Sequence, residues 1–295
     1  MSEVDRSGNS NPNWLVRLKA VYNSLKSAEK RAADLLLQDP AASTRMTITE
    51  IADASNVSEA TFVRLAKRIG YKGYRELKAE MRSAPPMEET SLYPNISPED
   101  TYADLLAKVT LSSVKTLQDT LNVVDIGQFE KAIKALSKAK RIAFYALGDA
   151  SAVALTGHYK LQRIGWQSSF FSDPDLALIT ASHLEPGDVG IGISYSGRTA
   201  SVIHAIKRTR EMGATTIGIT NFPLSPLAKI CDIVLLTAAF ADPMEFRSVE
   251  GDVLARRIAQ LCILEALYVA LLVKERPSLK AAVRHADEAL HINKV

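Results

Sequence analysis

The chain has few cysteines and no long apolar run, and each shortage removes a class of protein. Cys231 and Cys262 are the only cysteines in 295 residues, far apart and outside any CxxC pair. That excludes a disulfide framework and a cysteine-based zinc site, and predicts two small, buried, reduced side chains. No apolar stretch reaches the roughly 18 residues needed to span a bilayer. The closest, residues 261–273 (LCILEALYVALLV), is too short and contains Glu265. Residues 1–14 lack the apolar centre of a signal peptide, so a cytoplasmic protein with no membrane partner is expected. Neither GxGxxG nor GxxxxGK[ST] occurs, which removes the dinucleotide fingerprint and the phosphate loop of nucleotide hydrolases. His158, His183, His204, His285 and His291 have no metal-ligand spacing, so neither metal nor cofactor is expected. With 14 glycines the chain is not collagen-like, and with 47% hydrophobic residues it is not disordered.

The charge that is present is unevenly placed. Residues 1–82 carry 14 Lys and Arg against 10 Asp and Glu, a net +4, whereas the remainder carries 22 against 23. Seven of the basic residues fall within residues 61–82. A basic small domain joined to a near-neutral large one points to a polyanion at one end only.

The hydrophobic pattern divides the chain at the same place. After a polar segment at 1–13, everything from 14 to 82 reads as helix. Residues 28–38 form one helix, capped by Ser27 and stopped by Asp39-Pro40. Thr47 and Glu50 fit a capping box that opens a short helix to about Ala54. Asn56-Val57 is a turn, Ser58 caps the next helix, and Gly70 ends it. Residues 84–97 (APPMEETSLYPNIS) read as a linker. Ser97-Pro98 then opens a long helix to about Leu121, and another follows at 126–137. From Arg141 short apolar strands (141–147, 168–171, 189–194, 215–220, 233–236) alternate with helices (151–164, 176–182, 199–212), which implies a parallel sheet covered on both faces. After Glu250 only helix is expected. The expectation is an all-α helix-turn-helix domain at residues 1–83, a linker at 84–97, and an α/β domain at 98–295 built as a three-layer parallel sheet flanked by helices.

Two segments carry chemistry. Residues 47–70 (TITEIADASNVSEATFVRLAKRIG) place two capped helices around a tight turn, the pattern that sets a second helix into a DNA major groove. Small or polar side chains have to lie where that helix meets base edges, and Ser58, Glu59, Ala60 and Thr61 do, with Thr47 at the head of the first helix. Arg64, one turn on, can reach a guanine edge or a phosphate, while Lys67, Arg68 and Lys72 suit phosphates. The second segment, Ser194-Tyr-Ser-Gly-Arg-Thr199, follows a strand and opens a helix. Its hydroxyls (Ser194, Ser196, Thr199) and helical N–H groups make an anion site, and Gly197 lets the backbone approach a ligand. A similar loop at 147–151 offers Gly148 and Ser151. A sugar-phosphate isomerase or lyase with an accessory helical domain is the alternative, with His158 or Glu250 as its base. A protein-binding adaptor is a third reading. Neither needs the basic outer face of residues 61–72.

Together these segments are familiar. Residues 28–31 and 56–74 resemble the helix-turn-helix domain of RpiR-type regulators. Residues 194–199, with 219–228 (ITNFPLSPLA), resemble their sugar isomerase (SIS) domain. The resemblance implies a non-enzymatic transcriptional regulator that binds double-stranded operator DNA as a homodimer or homotetramer. It also implies a phosphorylated sugar or sugar acid as effector and repression of carbohydrate-catabolic genes in many members. By position Ser194, Ser196 and Thr199 would hold the effector phosphate. The first loop departs from the usual GxGxS, with Ala146 at the first Gly and Ala150 at the Ser, so Ser151 stands in one position later. The run 256–260 (RRIAQ) is similar to the branch that senses 2-keto-3-deoxy-6-phosphogluconate.

Overall fold

A computed structural model describes residues 13–22, 24–83, 97–238, 251–275 and 279–293. The linker expected at 84–97, apart from Ser97, and the candidate base Glu250 lie outside the described residues. The chain forms two compact units that divide at Val123–Val124.

The first unit is helical: α1 (Asn13–Tyr22), α2 (Ser27–Gln38), α3 (Pro40–Arg45), α4 (Ile48–Ala54), α5 (Glu59–Arg68), α6 (Tyr74–Ser83) and α7 (Tyr102–Val123). Trp14, Leu18, Leu36, Ile51, Phe62, Leu65 and Leu77 are buried among these helices. Phe62 and Tyr74 meet edge to face at 5.3 Å. Two expectations are corrected here. Asp39-Pro40 does not simply end a helix: Asp39 accepts a hydrogen bond from the Ala42 N–H, and Pro40 takes the first position of α3, where its missing N–H costs nothing. The long helix opens at Tyr102 rather than after Ser97, because Thr101 and Asp104 cap it reciprocally while residues 97–100 form a turn. The chain boundary between the units follows α7, which packs on α1.

The second unit is an α/β layer structure. Strands β1 (Ile142–Ala146), β2 (Ser168–Phe171), β3 (Val189–Ile193), β4 (Thr215–Thr220) and β5 (Ile233–Leu236) are all parallel, in the order β2-β1-β3-β4-β5. The helices are α8 (Ile126–Lys138), α9 (Ala150–Arg163), α10 (Pro174–Ala181), α11 (Ala200–Glu211), α12 (Pro226–Ile230), α13 (Gly251–Ala270) and α14 (Leu279–Leu290). Alternation along the strands sends Ile142, Phe144, Ile191, Ile193, Ile217 and Ile219 into a core shared with α8, α9 and α13. The opposite face carries Ala143 and Tyr145 with Val202, Ala205 and Ile206 of α11. On that face β3 (VGIGI) presents glycine. A Cβ at Gly190 would lie 2.7 Å from Thr209 Cγ2, and one at Gly192 2.7 Å from Ile206 Cγ1, so α11 rests almost on the strand backbone.

One ion pair fixes strand alignment at the N-terminal edge of the sheet. The Asp188 carboxylate, 1% exposed, accepts from the Arg141 backbone N–H at 3.1 Å, from the Arg141 guanidinium at 2.5 Å, and from the Glu185 N–H at 2.8 Å. Among the described residues no helix is long and apolar enough to cross a membrane.

Candidate functional site

The sheet order puts β1 beside β3, and the order of strand addition reverses across that pair: β2 lies outside β1, and β4 and β5 run on beyond β3. In open α/β sheets ligands bind beyond the C-terminal strand ends at such a reversal. Ala146 pairs with Ile193, so the loops that follow these strands, residues 147–149 and 194–199, start side by side. The two candidate effector segments, 43 or more residues apart in sequence, therefore open side by side at the C-terminal edge of the sheet, where a ligand cleft is expected.

The 194–199 loop is held in shape by its own backbone and by its neighbours. Ser194 Oγ lies 2.9 Å from Thr199 Oγ1. Ser196 Oγ accepts from the Arg198 N–H at 3.2 Å. Gly197 has φ +59°, and a Cβ there would fall 2.2 Å from Ser225 Oγ, so no other residue fits without moving the next loop. The Tyr195 carbonyl accepts from the Asn221 N–H at 3.1 Å and from Thr220 Oγ1 at 3.0 Å. The Gly197 carbonyl accepts from the Leu227 N–H at 3.1 Å. Thr220, Asn221 and Ser225 are all buried. In the sequence these residues stood only inside the 219–228 segment that carries the SIS resemblance, with no role of their own. Thr199 is the N-cap of α11 but makes no side-chain cap bond, and the first N–H groups of α11 face the loop as a positive helix end. The arrangement suits a small dianion.

In the other loop Gly148 is exposed at φ +63° with open space where a Cβ would stand. Ser151 is half-buried in the first turn of α9, its hydroxyl 3.4 Å from the Ala146 carbonyl. His158 points elsewhere: its Nδ1 lies 2.9 Å from Ser168 Oγ, at the start of β2 and so at the edge of the sheet away from both loops. Among the described residues no group of three His, Cys, Asp or Glu side chains is placed to hold a metal. Cys231 is half-buried and Cys262 is exposed, which corrects the expectation of two buried thiols.

The helix-turn-helix surface is built in the first unit. Thr47 Oγ1 accepts from the Glu50 N–H at 3.2 Å, and the Glu50 carboxylate accepts from the Thr47 N–H at 2.6 Å, which holds that carboxyl below its ordinary range. Asn56 turns the chain at φ +51°, a conformation Asn tolerates. Glu59, in the first turn of α5, accepts from Thr49 Oγ1 at 2.6 Å and so ties the two helices together. Thr47, Ser58, Glu59, Ala60, Arg64, Lys67 and Lys72 are exposed.

Two of the sequence-derived contacts sit differently. Thr61 is 2% exposed, with its hydroxyl 3.0 Å from Ser58 Oγ and accepting from the Arg64 guanidinium at 3.1 Å. Its position aims Arg64 instead of offering a surface group. Arg68 is half-buried and donates to Glu29 at 2.5 Å, because a carboxylate with a side chain 10% exposed needs a cation beside it. Lys26, Ala28, Glu29, Arg64, Lys67 and Arg68 line a groove of about 750 Å³ between the start of α2 and the outer face of α5.

Comparison with known proteins identifies the two domains. Residues 12–84 match the helix-turn-helix domain of the rpiR family, and residues 135–270 match the SIS domain. An uncharacterised HTH-type transcriptional regulator of Caldanaerobacter subterraneus subsp. tengcongensis is 31% identical over 281 residues, 95% of this chain and 98% of the relative. The HTH-type transcriptional regulator RpiR of Escherichia coli K12 is 27% identical over 254 residues, 86% of this chain and 84% of the relative. The Vibrio vulnificus NanR protein, solved in complex with ManNAc-6P, superposes with a TM-score of 0.61 at 27% identity, covering 96% of this chain and 99% of that one. A basic helix-turn-helix followed by a parallel sheet of SIS type defines a transcriptional regulator with a regulatory α/β domain. The chain belongs to the rpiR family of HTH-type transcriptional regulators and carries an SIS domain.

Proposed function

We propose that the chain is an effector-controlled repressor of carbohydrate-catabolic genes. Its exposed Thr47, Ser58, Glu59, Ala60, Arg64, Lys67 and Lys72 meet double-stranded operator DNA. Its SIS domain senses a phosphorylated sugar or sugar acid, with Ser194, Ser196 and Thr199 on the phosphate, Gly197 shaping the loop, and Gly148 and Ser151 closing the cleft from the β1 side. The observation that carries this reading is the meeting of two ligand-type loops at the β1/β3 reversal. ManNAc-6P, the ligand of the NanR structure, belongs to the same chemical class. The protein acts in the cytoplasm as a homodimer or homotetramer, since paired domains are needed to address two half-sites about one helical turn apart, ~34 Å.

The test is the thermal stability of the full chain against a panel of sugar phosphates that includes ManNAc-6P and 6-phosphogluconate. A ligand that binds the folded state alone adds RT ln(1 + [L]/Kd), about 2.7 kcal/mol at a hundredfold excess over Kd. Ser196→Ala should shrink the shift. An equal shift in wild type and variant removes the loop from the site, and a flat panel removes this class of effector.

A further inference from the structure

The SIS-domain cleft has a second wall. Arg256 of α13 lies with its guanidinium 3.8 Å from the ring centroid of Tyr195, inside the phosphate loop. Two turns on, Leu264 packs where a Cβ on Gly157 would be 2.9 Å from its Cδ1 and 3.0 Å from Phe144 of β1. With 3.6 residues per turn, residues 256, 260 and 264 form one stripe. That stripe runs from the loop after β3 toward α9 and β1, and Gln260 lies between its two ends. Gln260 is 1% exposed, yet its Nε2 has no hydrogen-bond partner. A buried amide left unpaired keeps its desolvation penalty uncompensated, so the position calls for an acceptor that arrives from outside. Its neighbour Arg257 has a buried Nε in the same state.

We infer that Gln260 and Arg256 are effector-contacting residues, a second arm that reads the sugar end of the ligand while residues 194–199 hold its phosphate. Gln260 Nε2 donates to a hydroxyl or carbonyl oxygen of the sugar, and Arg256 turns from the Tyr195 ring to the ligand's remaining oxygens. The inference rests on the loop reading above. The ligand class that follows is a phosphorylated sugar long enough to reach from the 194–199 loop to α13, with an acceptor oxygen at its far end.

The experiment uses the full chain, the panel compound giving the largest thermal shift on wild type, and the variants Gln260→Leu, Arg256→Gln and Ser196→Ala, with Kd taken from calorimetry. Gln260→Leu keeps the volume and removes the unpaired amide. Its ligand-free melting temperature is expected to equal or exceed wild type, while its affinity falls at least tenfold. Arg256→Gln is expected to fall by a similar factor. An unchanged Kd in either variant overturns the assignment of that residue. A lower ligand-free melting temperature in Gln260→Leu also overturns it, because the amide would then be serving the fold. If Ser196→Ala binds like wild type, or no compound shifts wild type, the loop reading fails and takes this one with it. Loss in Ser196→Ala with wild-type affinity in both α13 variants sinks the second arm alone.

Discussion

At Gly197 a methyl group decides whether the 194–199 loop keeps its shape. Left-handed backbone costs an L-residue about 1–2 kcal/mol, and the collision with Ser225 adds to it. Gly197→Ala is expected to lower the melting temperature and to abolish the ligand-induced shift, measured in the same scan. The thiols offer a simpler check. Burial pushes the Cys231 thiol up to about 12, whereas Cys262 is exposed. A disulfide reagent at pH 8 should titrate Cys262 in the native protein and Cys231 only after unfolding. Two prompt thiols would contradict the packing of Cys231 against β4. On the DNA side, Arg64→Ala should weaken operator binding by about 1–3 kcal/mol and relax preference at one base pair, read by gel shift. Arg68→Ala should act mainly on stability, through the deserted Glu29. Residue identity alone revealed the hydroxyl loop, since serine, threonine and glycine crowd into six positions. It could not reveal that Thr61 faces inward, because a threonine in the first turn of a helix satisfies either environment. Nor could it place Arg256 on Tyr195, a contact that exists only once α13 has folded back across the sheet.

Helices and strands were far more readable, for a local reason. Each strand is a short apolar run with breakers at both ends, and α2, α3 and α7, which flank the helix-turn-helix core, carry their own start signals. The places where sequence and structure part are places where two signals overlap. Asp39-Pro40 ends α2 and starts α3 with the same pair of residues, and Ser97-Pro98 resembles a helix start that Thr101 and Asp104 pre-empt. The sheet's alignment depends on Asp188, which no periodicity reports. Asp188→Ala should cost about 2–3 kcal/mol, because charge-assisted bonds to Arg141 and the Glu185 N–H are lost together; urea midpoints would measure it. Tyr145 gives the sheet a pH signature. Burial raises its phenol to about 12 from the ordinary value of 10.0. A group whose folded value is raised keeps its full contribution below the unfolded value and loses it as pH rises through the folded one. Stability should therefore drop between pH 10 and 12, and Tyr145→Phe should flatten part of that fall in denaturant titrations.

For the molecule as a whole, the two units ask for different measurements. Binding by the helical unit should respond steeply to salt. Three exposed cations per chain, doubled in a symmetric pair, would displace counterions from about six phosphates, a slope near −5 in log K against log salt. A flat response would mean that the basic face does not grip a backbone. The sheet unit should instead respond to metabolite. Its cleft has one wall that cannot yield. With glycine on the α11 side of β3, no compressible layer separates helix from strand, so α11 is bolted in place. If the proposed metabolite binds there, any rearrangement it drives is expected to be taken up on the facing side, with α13 as the moving jaw and α11 as the anvil.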